Sequence, residues 1–337
     1  MNTLATSAEE TIAVDDTDHS SDAEDDGALS SSSVASSVRA YRSEHGHRYH
    51  AYKEGSYAFP NDDIENDRLE LQHNIFLKTL DGRLHLAPIN KGLHNVLDVG
   101  TGTGIWAIEF ADEFPSAKPP RWLERLLRQC PSVPPNLTFL IDDAETTWEF
   151  SYKFDYIHGR ALLGSFGNWP RFFEQSYQNL EPGGWLEMQD IALPPTSDDG
   201  TLTEEHTLYK WGHLMVDAAN KIGRSMTAPT NYKTWMEEAG FVDVQEFRAK
   251  WPQNGWAKDR KFKELGQWNQ VNLEEGLHGF TMALFTRVHG WSKEQVEEFL
   301  PRVRSDIRNR KIHAYWQTYG NRFYFLPPYP YSYPSAQ

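Results

Sequence analysis

The sequence has little of what marks several large classes of protein. Its only cysteine among 337 residues is Cys130, which excludes an internal disulfide and a zinc site built from several thiolates. No apolar run approaches the roughly 20 residues that a membrane span requires. The start lacks the basic residues and the apolar stretch of a secretory signal. We therefore expect a protein that folds in water inside the cell, in the cytoplasm, without a membrane partner.

Basic residues are missing from the first 38 positions, which hold nine acids and no lysine or arginine. The remainder carries 33 bases against 39 acids, so the chain lacks the basic surface that nucleic-acid binding requires, and we predict no nucleic-acid partner. Residues 1–40 mix serines with acids and are too polar to repay the entropy of ordering. They are predicted to form a disordered tail.

What the sequence does contain is an alternation of strand and helix patterns. Apolar runs predict strands at 95–99, 137–141, 154–158 and 185–189, with helices at 105–114 and 170–180 between them. Further patterns predict helices at 203–221, 232–239, 251–290 and 292–308, and strands at 241–247 and 312–318. This order is typical of the α/β class, with a mostly parallel, doubly wound sheet.

The most informative segment is Val96–Gly104, between the first strand and its helix. Glycines at 100, 102 and 104 remove side chains where the backbone turns sharply and approaches a ligand, and the following helix presents free N–H groups. Asp98 ends the strand, where its carboxylate can hold the amino group of a cationic ligand. This placement favours S-adenosylmethionine over a pyrophosphate, which an acid at this point would repel.

A dinucleotide-binding oxidoreductase is the alternative, because Gly102-x-Gly104-x-x-Ala107 matches the G-x-G-x-x-A pattern. That register leaves Gly100 and Thr101 as an extra turn and gives Asp98 no role. Methyl transfer is therefore the preferred interpretation of the turn.

The chain resembles the fungal LaeA-like methyltransferases over about residues 45 to 315. Several short segments, each weak alone, carry the resemblance together. They are Arg48–His50, Tyr57, Pro60–Asp62, Asp67–His73, Val96–Ala107, Asp142–Glu145 with Trp148, Phe154–Arg160 and Leu180–Glu187. The resemblance implies a class I, Rossmann-like methyltransferase fold with a seven-stranded sheet, a helical lid and a C-terminal helical insertion, and it implies S-adenosylmethionine as the cofactor.

The resemblance also implies roles for individual residues at the cofactor. The methionine part would be held by Asp98 and the turn, with Gly100, Thr101, Gly102 and Gly104. Asp143, with Ala144, would lie at the adenine and accept a hydrogen bond from its exocyclic amine.

Other residues would surround the methyl group and its acceptor. His158, Gly159 and Arg160 would border them, and His158 is also the candidate general base, since its ordinary pKa is near neutrality. A histidine that only shapes the pocket is an equal alternative, because methyl transfer needs mainly proximity and alignment. The helix before the turn, with Tyr57, Arg68 and His73, would form a lid, and an arginine there would pair with the ligand carboxylate.

Residues 118–132 depart from the family, which places its second strand and a ribose-binding acid there. The segment Arg121–Arg128 instead has the spacing of an amphipathic helix, and Glu124 is the only acid left for the ribose. Matching flanks and a nearly normal length suggest a local reading-frame shift in the gene. With these residues as written, we expect the strand to be missing and cofactor binding to be weak.

Remaining polar and aromatic residues give weaker candidates. Glu187 and Asp190 end the next strand at the edge where ligands bind, and tryptophans could line a pocket for a flat apolar acceptor. The tryptophans considered are Trp211, Trp235, Trp251, Trp256 and Trp268. The nearby histidines His45, His47 and His50 lack carboxylate or cysteine partners, so no metal site is predicted.

We therefore expect an S-adenosylmethionine-dependent methyltransferase acting on a small molecule, aromatic or apolar, in fungal secondary metabolism. The alternative is a LaeA-like nuclear regulator that works through protein partners, with weak or no catalysis. The predicted division of the chain follows. It comprises the tail 1–40, the lead-in and lid 41–94, the cofactor-binding core 95–193, the acceptor-side helices and last strands 194–320, and an irregular end 321–337.

Overall fold

The computed structural model describes most of the chain from the first long helix onwards, together with three short segments before it. The described residues are 12–14, 42–44, 47–49, 63–90, 92–117, 121–123, 134–140 and 142–324. Several residues singled out above lie outside these ranges, among them Tyr57, Glu124, Cys130 and the histidines at 45 and 50.

The strands form one small hairpin and one large mixed sheet. The hairpin pairs β1 (Arg42–Glu44) with β2 (His47–Tyr49). The strands of the large sheet are β3 (Val96–Val99), β4 (Arg121–Leu123), β5 (Thr138–Leu140), β6 (Phe154–Arg160), β7 (Leu180–Thr196), β8 (Val242–Pro252) and β9 (Tyr315–Tyr324). Their order is β5-β4-β3-β6-β7-β9-β8. The pairs from β5 to β7 are parallel, whereas β9 runs antiparallel to β7 and β8, which confirms the α/β class.

Helices cover both faces of this sheet. They are α1 (Asp63–Thr79), α2 (Ile105–Glu113), α3 (Trp169–Asn179), α4 (Thr207–Lys221), α5 (Tyr232–Ala239), α6 (Arg260–Arg287) and α7 (Lys293–Arg308), with a 3-10 turn at Ala228–Asn231. None of the helices in the described part of the chain is both long and apolar enough to span a bilayer.

The sequence explains where these helices begin and what they bury. In α2, Trp106, Phe110 and Ala111 lie on one buried face at helical spacing. The Asn168 side chain caps α3 by accepting from the Arg171 N–H at 3.0 Å. At α7, Ser292 and Gln295 form the reciprocal capping box that their spacing predicts.

Residues Arg121–Leu123, the described part of the segment 118–132, do not form the helix that their spacing predicts. The stretch Arg121–Leu123 is a strand that lies between β3 and β5, with Val99 paired to Leu123 and Arg121 to Thr138. Because both neighbouring strands present unpaired N–H and C=O groups at this position, sheet pairing overrides the local helical pattern. The expected helix is therefore wrong at Arg121–Leu123, where the second strand, expected to be missing, is present; the rest of the predicted helix lies outside the described residues.

Three other expectations are corrected by long-range contacts. The segment 251–290 begins as the end of β8 and becomes helical only at Arg260, where Asp259 provides the N-cap. The last strand continues to Tyr324, past the predicted start of the irregular end. Part of the predicted tail is ordered, because Ile12 is buried against the body of the protein and Val14 forms a β-bridge with Ala257.

Candidate functional site

The carboxyl ends of the parallel strands bring the candidate residues to one edge of the sheet. The turn 100–104 follows β3, the segment 142–145 follows β5, the turn 161–163 follows β6, and Asp190 lies in β7 one residue beyond the last parallel pair, Arg160–Gln189. Open parallel sheets bind their ligands at this edge.

Glycine is required in the turn after β3 because its backbone is left-handed at three positions. The φ angles of Gly100, Gly102 and Gly104 are +68°, +62° and +81°. A Cβ on Gly100 would lie 2.5 Å from a methyl carbon of Leu162, whereas one on Gly102 would meet nothing closer than 3.8 Å. Leu162 thus leaves no room for a side chain at Gly100, whereas there is open space beside Gly102.

The turn and the start of α2 also carry polar groups that are available to a ligand. The Thr101 hydroxyl is buried and has no hydrogen-bond partner among the residues that the structure describes. The N-cap of α2 is Gly104, and no side chain caps the first N–H groups of this helix. Buried polar atoms are rarely left without a partner, so the turn has the donors and the space that a polar ligand would use.

Asp98 and His158 form a buried pair beneath the turn. They are register partners in β3 and β6, and the Asp98 carboxylate lies 2.6 Å from His158 Nδ1. The imidazole stacks on Trp106 at a centroid distance of 3.7 Å, and its buried Nε2 has no hydrogen-bond partner within the described part of the chain. Sequence reasoning did not single out Trp106, although it comes two residues after the glycine turn.

Asp143 and Ala144 lie beside the turn in a short capped loop. The Asp143 carboxylate accepts from the Glu145 N–H at 3.0 Å. Ala144 is buried in the same apolar cluster as Val99 and Leu162. The loop after β5 therefore shares an apolar cluster with residues that flank the glycine turn, and its role at the adenine stays a prediction.

Arg68 is engaged with protein groups rather than displayed to a ligand. Its guanidinium makes a two-point contact with Glu65, at 2.7 and 2.8 Å, and donates to the Asn272 side chain at 2.6 Å. Arg68 is only 3% exposed. The guanidinium thus already pairs with a carboxylate of its own helix, and its expected pairing with a ligand carboxylate stays a prediction.

His73, on the same helix, links α1 to β6 and α2. Arg160 Nη2 donates to His73 Nδ1 at 2.7 Å, and His73 Nε2 lies 3.0 Å from the Glu109 carboxylate. Burial, aided by the positive charge of Arg160, lowers the pKa of His73 to about 3. Burial also lowers the pKa of Arg160 to about 10, against the effect of Asp98 and Glu109. The imidazole is therefore neutral, with its proton on Nε2.

A cavity of about 100 Å³ adjoins the turn, enclosed by α1, α4, α6 and the sheet edge. Leu69 forms part of its wall and also lies nearest to Gly102. Its aromatic walls are Trp211, Trp251, Trp316 and Phe280. Its polar lining consists of Glu65, Arg68, Gln72, Asp190, Asn269 and Asn272.

Two of the five candidate tryptophans, Trp211 and Trp251, line this cavity. Their indole N–H groups donate to Thr281 and Thr79 at 2.8 Å, so these polar atoms are already satisfied within the protein. Trp256 instead packs near Ile12. His158 and Gly159 are not part of the cavity wall.

The two acids of β7 have different surroundings. Glu187 is fully buried and accepts from the N–H groups of Leu86 and Ala87 at 2.8 Å and from the Tyr156 hydroxyl at 3.0 Å. It therefore anchors the segment before β3 rather than facing the cavity. Asp190 lines the cavity, and burial raises its pKa to about 7.

Metal ligation has no support in the described ranges, where histidine, cysteine and carboxylate side chains form no group of three suited to a metal ion. Tyr57 and Glu124 lie outside the described residues, so their roles stay predictions.

Comparison with known proteins identifies the chemistry associated with this arrangement. Residues 71–246, slightly more than half of the chain, match a family model described as a methyltransferase domain. Methyltransferase pytC of Aspergillus terreus is 40% identical over 285 residues, which are 85% of this chain and 88% of that protein. Secondary metabolism regulator LAE1 of Cochliobolus heterostrophus is 37% identical over 279 residues, 81% of this chain and 91% of that protein.

Among solved structures, phosphoethanolamine N-methyltransferase 2 of Haemonchus contortus, in complex with S-adenosyl-L-methionine, has a TM-score of 0.43 and 15% identity. The match covers 78% of this chain and 53% of that chain, so this chain spans about half the length of that enzyme.

Proposed function

This chain belongs to the methyltransferase-domain family, and we propose that it transfers a methyl group from S-adenosylmethionine to a small molecule of fungal secondary metabolism. Its relatives include the named fungal methyltransferase pytC and regulators of the LaeA type. A dinucleotide-dependent oxidoreductase is not supported, because the family match covers the glycine turn on which that alternative depended.

The residues around the turn fit the cofactor. Bound S-adenosylmethionine supplies a methyl group activated by the positive sulfonium. Gly102 leaves the backbone accessible, and neither the buried Thr101 hydroxyl nor His158 Nε2 has a hydrogen-bond partner in the described ranges. We assign the methionine part to this turn above the Asp98–His158 pair, and the adenine to the side of Asp143 and Ala144.

Placing the cofactor at this turn changes the role proposed for His158. Its ring is fully buried, tied to Asp98 and stacked on Trp106, and it does not line the cavity. A general base must reach the proton that it removes. We therefore place His158 on the cofactor side and give it no role as the base for the acceptor.

The cavity beside the turn is the proposed acceptor site. Its walls are mainly aromatic and aliphatic, and its polar groups cluster where α1 faces α6, around Arg68 and Asn272. Such a cavity favours a compact aromatic or apolar body with one polar substituent. Residues 95–193 then provide the cofactor half of the site, and residues 194–320 supply half of the residues that line the acceptor cavity.

One observation carries this proposal: the turn that leaves space at Gly102 and the apolar cavity meet at Leu69, at the ligand-binding edge of the sheet. The test uses purified protein, S-adenosylmethionine labelled in its methyl group, and an extract of a fungal strain from which the gene is deleted. We expect label in a small molecule that accumulates unmethylated in that strain. The matched control is Gly102→Arg, which fills the cofactor space. Equal labelling by this variant, or no labelled product with the unaltered chain, would contradict the proposal.

A regulatory role is the second candidate, because a regulator of secondary metabolism is 37% identical over most of the chain. In this case the protein acts in the nucleus with protein partners, whereas a biosynthetic enzyme acts in the cytoplasm. Metabolite profiles after gene deletion separate the two functions. Loss of one methylated product supports the enzyme, and silencing of several unrelated pathways supports the regulator.

A further inference from the structure

We propose that Asp190 is a positioning residue that fixes the turn 161–163 after β6, and through this turn joins the cofactor site to the acceptor cavity. The inference rests on the proposed function, since it concerns the same two sites. Asp190 does not contact the reacting atoms in this account; it acts through the backbone that it holds.

The Asp190 carboxylate is surrounded by donors from three parts of the fold. One oxygen accepts from the Leu162 N–H at 3.1 Å and the Tyr232 hydroxyl at 2.9 Å, and the other accepts from the Ile191 N–H at 2.8 Å. The Leu163 N–H also favours the ionised form of this carboxylate. The carboxylate thus interacts with consecutive amides of the turn and sets the path of its backbone.

This backbone needs such support because its first residue is strained. Ala161 has a φ of +53°, which an L-residue with a side chain rarely adopts. Its N–H donates to the carbonyl of Gln189 at 2.9 Å, next to Asp190. The turn is thus attached to β7 at adjacent positions, and Asp190 supplies the side-chain part of the attachment.

The turn contributes to both sites at once. The Leu162 side chain packs beneath Gly100, where an added Cβ would lie 2.5 Å from it, and beside Gly159, where one would lie 2.9 Å from it. Ala161 and Leu163 line the cavity. A shift of this turn would therefore change the floor of the cofactor site and the wall of the acceptor site together, and displacements near 1 Å are sufficient to impair transfer.

Whether Asp190 can accept all of these hydrogen bonds depends on its ionisation state. Burial raises the pKa of Asp190 to about 7, although the bonds from Ile191, Tyr232, Leu162 and Leu163 oppose the shift. Protonation converts one acceptor oxygen into a donor that faces other donors. Tyr232 faces this carboxyl directly, Tyr319 is its register partner in β9, and Glu65 and Arg68 on α1 are the other charged groups lining the cavity. The ionised carboxylate consequently holds the turn at pH 8, whereas protonation at pH 6 weakens its hydrogen bonds to the turn.

The first test measures the affinity of the full chain for S-adenosylhomocysteine by calorimetry between pH 6 and 8.5. We expect affinity to rise about tenfold over this range, following ionisation of one group near pH 7. Asp190→Asn places an amide N–H₂ against backbone donors and should bind about tenfold more weakly at pH 8, without the rise. Tyr232→Phe removes a bond that lowers the pKa of Asp190, so the midpoint of the rise should move to higher pH.

A second measurement separates this inference from the proposed function. Hydrogen exchange of the Leu162 and Leu163 amides, corrected for intrinsic rates, should show protection at pH 8 that decreases at pH 6 and is lost in Asp190→Asn. If the unaltered chain binds no S-adenosylhomocysteine but shows this pattern, the proposed function fails and the positioning role stands. If amide protection and the midpoint of the affinity profile are unchanged in both variants, the positioning role is wrong. If Asp190→Asn fails to fold, Tyr232→Phe alone provides the test. A midpoint shifted to higher pH supports the positioning role, and an unshifted midpoint contradicts it.

Discussion

At the scale of single residues, burial has its clearest consequence at His73. Its Nδ1 accepts from Arg160 and its Nε2 faces Glu109, and the side chain is almost fully buried. A second proton on this ring would lie against a guanidinium in a buried site. The contact between α1, α2 and β6 thus requires the neutral form of His73.

This arrangement predicts an acid-labile fold. The pKa of His73 is lowered to about 3 in the folded protein, below its ordinary value of about 6.5, so the unfolded chain binds the extra proton first. Stability should therefore fall as pH decreases from about 6.5 towards 3, by at most about 1.4 kcal/mol per pH unit from this group. Urea denaturation of the unaltered protein and His73→Gln between pH 4 and 7 measures the effect.

Glutamine can keep a donor and an acceptor in this position but does not titrate, so the variant should have the shallower pH dependence. The solvent-exposed His94→Gln is the matched control and should leave the slope unchanged. Equal slopes for the unaltered protein and His73→Gln would show that His73 is not the group responsible.

The residues closest to the glycine turn could be foreseen from the sequence, and those that depend on distant partners could not. The left-handed backbone at Gly100, Gly102 and Gly104 follows from a motif of nine consecutive residues. Arg68, in contrast, donates to Asn272, which lies 204 positions away. No local pattern reports such a partner, so the sequence alone could not show that Arg68 is already paired within the protein.

At the scale of elements, local signals were sufficient where an element has its own start and stop residues. Helix α7 begins at the capping box of Ser292 and Gln295, as the sequence predicts. The strand at Arg121–Leu123 has no comparable signal. It forms because strands β3 and β5 leave a position between them, and this requirement is visible only in the assembled sheet.

The capping box of α7 gives a direct test at this scale. Ser292→Ala removes the side-chain acceptor for the Gln295 N–H and should lower the free energy of unfolding by about 1 kcal/mol. Ser292→Thr keeps a hydroxyl and should have a much smaller effect. The urea midpoint measures both variants, with an unchanged m value as the sign that the unfolding reaction is the same. A threonine variant as unstable as the alanine variant would contradict the capping role.

At the scale of the whole molecule, the α/β class with a mostly parallel sheet was predictable, but the cavity was not. Its walls come from α1, α4, α6 and the sheet. Residues that are far apart in the sequence, such as Trp211 and Trp316, line it together. Composition likewise described the first 40 residues as a uniform tail, whereas Ile12 is buried near Trp256. Both features depend on the packing of distant segments.

The central claim is that the turn around Gly102 holds S-adenosylmethionine beside this cavity. The most direct test is calorimetric titration of S-adenosylhomocysteine into the unaltered chain, Gly102→Ala and Gly290→Ala. The two glycines have similar φ angles, +62° and +71°, and both have room for a methyl group, so the two variants should lose similar stability, about 1 kcal/mol or somewhat more. Binding should weaken about tenfold or more only in Gly102→Ala, which corresponds to at least about 1.4 kcal/mol. Unaltered affinity in this variant, or an equal loss in Gly290→Ala, would contradict the assignment.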